Sequence, residues 1–234
     1  QAPRPRAPAS AAAPPRPLAV GGSDGVRRLL VFDWDDTLLP LSWIEEQPSL
    51  RPIRPRASPN DLEVRGKLAA YEPLVARLLR LASSLGDVVI VTLSERDWVI
   101  ESAQRYLPTC EERVRRLPIH YAREFSVGRH LSAADDPQSA KKRLAMQRAL
   151  DGLGAVLGEK ADLVSIGDGA WEKRAAQDLA EASPDRVRWL KTAKLRDRPT
   201  LVQLSDQLTA LCARLEAFVA EAGNGHLRAS DLAA

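Results

Sequence analysis

Cysteine is scarce in this chain of 234 residues, which has only Cys110 and Cys212. Two cysteines cannot fill a zinc site alone, and a disulfide framework in a chain this long normally uses more. The cytoplasm or another reducing compartment fits that usage. Aromatic residues make up 5% of the chain, so Leu, Val, Ile and Ala must fill any core. Long apolar runs are missing too; Val88-Val89-Ile90-Val91 is typical of what there is. A membrane-crossing helix needs about 20 apolar residues, so no such helix and no membrane partner are expected. The chain starts at Gln1 and has no apolar h-region in residues 1–20. That stretch is not a signal peptide as it stands, and a lost targeting segment stays open.

The composition is otherwise that of a globular protein, 44% hydrophobic and 28% charged. Its basic balance is local. Residues 1–28 carry Arg4, Arg6, Arg16, Arg27 and Arg28 against Asp24, a net +4 within a chain total of +3. The remainder is therefore at −1, and the folded part shows no clear nucleic-acid site. Six prolines fall in the first 17 residues, mixed with Ala and Arg. Such a segment buries too little apolar surface to offset its ordering entropy. Residues 1–28 are expected to be a disordered arm, 29–222 a folded domain and 223–234 a flexible tail.

Leu29-Leu30-Val31-Phe32 reads as a strand buried on both faces. Residues 40–60 are expected to be irregular, because Pro40, Pro48, Pro52, Pro55 and Pro59 forbid a regular helix. Residues 62–85 have helical spacing, with Pro73 either starting or kinking the strong part and Gly86 ending it. Strands are expected at Val88–Leu93, Pro118–Tyr121, Leu163–Ile166 and Val187–Leu190. Helices are expected at Asp97–Tyr106, Arg113–Arg116, Ser139–Leu150 (ended by Gly152 and Gly154), Glu172–Ala182 and from Pro199 to about Glu221. Residues 124–138 read as a polar loop. This alternation implies an α/β fold, a three-layer doubly wound parallel sheet. Ligands in such sheets bind beyond the carboxyl ends of the strands.

The residues there are distinctive. Asp33-Trp34-Asp35-Asp36-Thr37 follows the first strand and Thr92-Leu93-Ser94 the second. Gly167-Asp168-Gly169 follows the fourth, with Glu172 four residues past Asp168. Lys141 and Lys142 open the helix before it. Crowded carboxylates repel unless a cation sits among them, and hard oxygen ligands suit Mg2+. Mg2+ with a lysine and a threonine hydroxyl can bind phosphate, and a carboxylate beside that phosphate can attack it.

With these motifs the chain resembles the haloacid dehalogenase (HAD) superfamily of phosphohydrolases, over about Leu29 to Leu208. Asp33-Trp34-Asp35-Asp36-Thr37 matches the DxDxT motif, and Thr92 stands at the Thr/Ser of the second motif. Lys142 fits the third motif. Gly167-Asp168 with Glu172 fits the acidic fourth motif, with Glu where Asp is commoner. The stretches FDWDDTLLP, VIVT…W and KT…RPT resemble a narrower group of uncharacterised eukaryotic HAD-like proteins. The resemblance implies that 29–222 is a HAD-like catalytic domain and a phosphoric monoester hydrolase. Asp33 would be the nucleophile and Asp35 the general acid, then base. Thr37 would support the turn, Thr92 would bond the phosphoryl group, and Lys142 would neutralise charge, with Lys141 as its substitute. Mg2+ would be held by Asp33, the backbone carbonyl of Asp35, Asp168 and Glu172.

The 59 residues from Asp33 to Thr92 and the 49 between Thr92 and Lys142 leave no room for an independent cap domain. An open site suits a macromolecular phosphoester such as a phosphoprotein, with small esters as the other class. The alternative is a catalytically silent HAD-like binding or regulatory protein. A receiver domain also uses Asp, Thr and Lys, but its acidic pair and phosphoacceptor lie on different strands. Trp98 and Trp189 read as packing residues, and Trp34 and Trp171 as candidates for the site mouth. Arg51, Arg54 and Arg56 read as a solvated flap that can also grip an anion. Asp36 reads as a turn residue, and His120 and His130 have no partner pattern.

Overall fold

The computed structural model describes residues 25–47, 59–127, 136–153 and 160–232. Most of the expected arm, Arg51, Arg54, Arg56, His130, Gly154 and much of the 124–138 loop lie outside them. The elements run β1 (Arg28–Phe32), α1 (Leu41–Glu46), α2 (Pro59–Leu85), β2 (Asp87–Thr92), α3 (Trp98–Tyr106), α4 (Glu111–Arg115) and β3 (Ile119–Tyr121). They continue with α5 (Pro137–Gly152), β4 (Ala161–Gly167), α6 (Ala170–Ala182), β5 (Val187–Lys194), α7 (Leu201–Ala220) and β6 (Gly225–Leu227).

The six strands form one sheet in the order β3-β2-β1-β4-β5-β6, and every pair is parallel. β1, β2 and β4 are buried along their whole length, as strands covered on both faces must be. Their alternation divides the core. Leu30 lies beside Val88 and Val164 in register, and these join Phe32, Ile90 and Ile166 under α2, α3 and α7. Leu29, Val31, Val89, Val91 and Leu163 face the other way, under α5 and α6. The result is a three-layer α/β fold.

From β1 the chain first builds outward through β2 to β3, then returns to place β4 on the other side. Loops leaving β1 and β4 therefore diverge, and the crevice between them is where such sheets hold ligands. The steps β4–α6–β5 and β5–α7–β6 move the same way across the sheet, yet α6 and α7 lie on opposite faces. They have opposite hands, against the strong right-handed preference of such units. One consequence is that, among the described residues, α7 does not cover the α6 face of β5 and β6. A groove of about 670 Å3 lies there, lined by Lys173, Arg188, Thr192 and His226 among others.

Several boundaries differ from the sequence reading. The stretch 40–60 is not wholly irregular, because α1 fits between Pro40, its N-cap, and Pro48. Proline forbids a helix interior, not its flank. Pro59 likewise begins α2, and α2 runs through Pro73. Pro73 and Ala69, whose carbonyl loses its partner, are both exposed, so the missing hydrogen bond is not a buried one. Gly86 is needed for a close approach: a Cβ there would meet the Arg28 carbonyl oxygen at 2.6 Å.

β5 runs four residues beyond the expected Leu190. Lys191 and Thr192 look like a strand end but are buried, and the Lys191 ammonium lies 5.3 Å from the centre of the Phe218 ring. The expected flexible tail is corrected as well. Residues 225–227 pair with β5 as β6, and Leu232, in a short 3-10 turn, is fully buried. Gly, Asn, His and Arg masked these few apolar contacts in the sequence. No helix among the described residues is long and apolar enough to cross a membrane, and Cys110 and Cys212 are free thiols.

Leu232→Ala is expected to destabilise the protein by about 2 kcal/mol, the low end for a buried leucine because the segment is terminal. Urea unfolding measures it. A change under about 0.5 kcal/mol, the scale of surface substitutions, would mean that the tail does not pack.

Candidate active site

The first loop is built around Trp34. Its side chain is fully buried, and its indole N–H donates to Ser102 Oγ at 2.9 Å. Its carbonyl accepts the N–H groups of Leu38 and Leu39, each at 2.9 Å. Trp34 is thus an anchor in the core and does not line a site mouth. Asp36 takes the left-handed turn (φ 54°) that reverses the chain. Its carboxylate accepts from Ser42 N at 2.7 Å and Ser42 Oγ at 2.5 Å, which satisfies a free N–H in the first turn of α1. Between these fixed points stand Asp33 and Asp35. Asp33 N donates to Ile166 O at 2.9 Å, so Asp33 still pairs with β4 at the carboxyl end of β1.

Lys142 projects from α5 into the same space and is 1% exposed. Its ammonium is 2.9 Å from Asp33 Oδ2 and also donates to Glu172 Oε1. Lys141, next to it, is only partly buried, so Lys142 is the lysine at the site. Burial lowers the Lys142 proton affinity, but Asp33 and Glu172 outweigh it and hold the ammonium above its ordinary proton affinity.

Asp168 leaves the end of β4. Its N–H donates to Thr37 Oγ1 at 3.1 Å, and the Thr37 hydroxyl faces Asp168 Oδ1 at 3.4 Å. Thr37 therefore ties the first loop to the fourth. Lys194, at the end of β5, donates to the Asp168 carbonyl and to Asp197 Oδ1, the latter at 2.7 Å. Glu172 folds back over the glycines that flank Asp168. A Cβ on Gly167 would lie 2.4 Å from Glu172 Cγ, so only glycine leaves Glu172 its place.

Oxygens of Asp33, Asp168 and Glu172 lie within 4.8 Å of one another. One ammonium faces three carboxylates, which leaves negative charge uncompensated. Burial, with Glu172 and Asp168 adding to it and Lys142 opposing, pushes the Asp33 carboxyl well above the usual range. Burial, with Glu172 and Asp36, pushes Asp168 up to about 7 despite Lys142. Glu172 Oε2 is buried with no hydrogen-bond partner among the described residues. A buried, partnerless carboxylate oxygen beside two further carboxylates fits a hard divalent cation such as Mg2+.

Asp35 sits in a different environment. Trp98 Nε1 donates to its Oδ1 at 2.8 Å, and Ser94 Oγ donates to its Oδ2. Burial raises its proton affinity, and these two hydrogen bonds oppose the rise. Thr92 is buried, and its Oγ1 accepts from Ser94 N at 3.0 Å, so its O–H can still donate. Ser94 and Trp98 are the partners of Asp35 that the sequence does not single out. Ser94 stood in view two residues after Thr92, whereas Trp98 was read as packing. Trp171, in the first turn of α6, is 45% exposed.

Without metal, stability is expected to fall as pH rises from 5 to 8. The native Asp168 carboxyl holds its proton up to about 7, while an unfolded Asp releases it near ~3.9. Over that window the native state binds more protons, so stability decreases with pH. Mg2+ should restore it most at pH 8, and Asp168→Asn should flatten both trends. Thermal unfolding in EDTA and in Mg2+ across this range checks the sign; a metal-free Tm that climbs toward pH 8 contradicts it. No protein-family model, curated protein or solved structure matches this chain.

Proposed function

We propose that this protein is a Mg2+-dependent phosphatase that hydrolyses phosphate monoesters through an aspartyl-phosphate on Asp33. One observation carries the reading: Asp33 and Asp35, two residues apart, have different partners. Asp33 shares its charge with the Lys142 ammonium, and Asp35 is held by neutral donors. Paired carboxylates in contrasting environments are how a site divides a nucleophile from an acid. The likeness to HAD phosphohydrolases points the same way.

Lys142 holds Asp33 Oδ2, which leaves Oδ1 to attack phosphorus. The ester P–O bond breaks as the Asp33–P bond forms, and Asp35 gives its proton to the departing oxygen. Asp35, now a carboxylate, takes a proton from water. That water oxygen attacks phosphorus, the Asp33–P bond breaks, and inorganic phosphate leaves. The Thr92 hydroxyl donates to a phosphoryl oxygen, and Thr37 keeps the two loops together. Asp33, Asp168 and Glu172 would hold Mg2+, with the Asp35 carbonyl named by the resemblance. When bound, Mg2+ screens the charge of phosphate and carboxylates.

We infer further that no independent cap domain covers the site and that the substrate is macromolecular, such as a phosphoprotein. In support, among the described residues the chain between Asp33 and Thr92 forms α1, α2 and β2, and α2 and β2 belong to the core layers.

Phosphate release from 4-nitrophenyl phosphate tests the reading. Turnover is expected in Mg2+, lost in EDTA, and down by roughly 10^3-fold or more in Asp33→Asn. Beryllium fluoride binding that needs Asp33, without turnover, would keep the chemistry and call for a more demanding substrate. With neither turnover nor binding, the silent regulatory reading takes its place.

A further inference from the structure

We infer that Ser94 and Trp98 are positioning residues that fix which oxygen of Asp35 delivers the proton to the leaving group. The inference rests on the phosphatase reading above.

Asp35 is held at both ends of its carboxyl group, by two donors from one loop. Trp98 Nε1 takes Oδ1 at 2.8 Å, and Ser94 Oγ takes Oδ2. An indole nitrogen can only donate, so Oδ1 is held as an acceptor, and a protonated carboxyl oxygen is the poorer acceptor of the two. A hydroxyl both donates and accepts, so Ser94 can stay bonded to Oδ2 whether or not that oxygen is protonated. Together they favour the proton on Oδ2. It passes from there to the leaving oxygen as the P–O bond breaks and the Asp33–P bond forms.

The loop that carries the pair is itself held. Ser94 N donates to Thr92 Oγ1 at 3.0 Å, and Trp98 N to Glu95 O at 3.2 Å. Asp97, between them, is in the left-handed region (φ 71°), which a residue other than glycine adopts only under strain. That conformation stands immediately before Trp98, at the start of α3. Arg96 to Glu124 (2.6 Å) and Arg123 to Glu95 (3.4 Å) cross between this loop and the turn after β3. A core residue needs no such arrangement, whereas aiming an indole N–H at one carboxylate oxygen does.

The test uses aryl phosphates of one shape and graded leaving-group basicity, from 4-nitrophenyl to 4-methoxyphenyl. A good leaving group needs little help from an acid, and a poor one needs much. Trp98→Phe removes the N–H and keeps most of the bulk. Ser94→Ala removes the hydroxyl, and Ser94→Thr restores it. The readout is kcat/KM, which reports transfer to Asp33, with the Mg2+-induced Tm shift as a check on the metal site.

Trp98→Phe and Ser94→Ala should each lose roughly 10-fold or more on the 4-methoxyphenyl ester, and less than about 3-fold on the 4-nitrophenyl ester, a fraction of what general acids contribute. Ser94→Thr should recover, and the Tm shift should not change. Equal losses across the series, or none, overturn the inference and leave the phosphatase reading standing. Absence in the unaltered protein of both Asp33-dependent turnover and Asp33-dependent beryllium fluoride binding overturns both. If Trp98→Phe does not fold, the Ser94 pair carries the same decision.

Discussion

The Lys142 ammonium, buried between Asp33 and Glu172, is the constraint on which the rest of the site depends. Removing a charge from water costs several kcal/mol, and only well-placed opposite charges offset it. The three groups come from α5, the end of β1 and the first turn of α6. The fold must therefore hold those elements in register before the charges can meet. Small residues allow it: Ala145 and Ala149 of α5 and Ala175 and Ala176 of α6 are all buried. A single lysine also cannot balance three carboxylates. Burial raises the proton affinities of Asp33 and Asp168, that shortfall adds to the rise, and Glu172 Oε2 has no hydrogen-bond partner among the described residues.

Three aspartates within four residues have three separate tasks. Asp33 meets a cation, Asp35 meets neutral donors, and Asp36 turns the chain and satisfies the start of α1. Composition does not separate them. Side-chain direction does, and it is set by the loop wound around the Trp34 carbonyl.

Much of the architecture was legible because the central strands are unbroken apolar runs and the helices carry stripes. The same stripe decides between the adjacent lysines. Ala145, Met146 and Ala149 stand three, four and seven residues after Lys142, on the buried side of α5, and Lys141 is rotated away from them. What stayed hidden depended on a few contacts or on polar burial. β6 has three residues, and β5 continues through a lysine buried against an aromatic ring. Proline flanks were mistaken for proline interiors at α1 and α2. Trp98 was hidden because an indole that packs and an indole that aims its N–H look identical in a sequence.

The placement of α7 bears on how the chain reaches this state during synthesis. α2 and α7 share one core layer, although more than a hundred residues separate them. Until the ribosome has released Phe218 and Val219, the apolar side of α2 and one face of β1, β2 and β4 lack their final cover. Contacts so distant in sequence are slow to close and leave apolar surface open meanwhile. The nascent chain thus carries every residue of the acidic site before it can complete the layer beneath it, and α7 acts as the latch for α2.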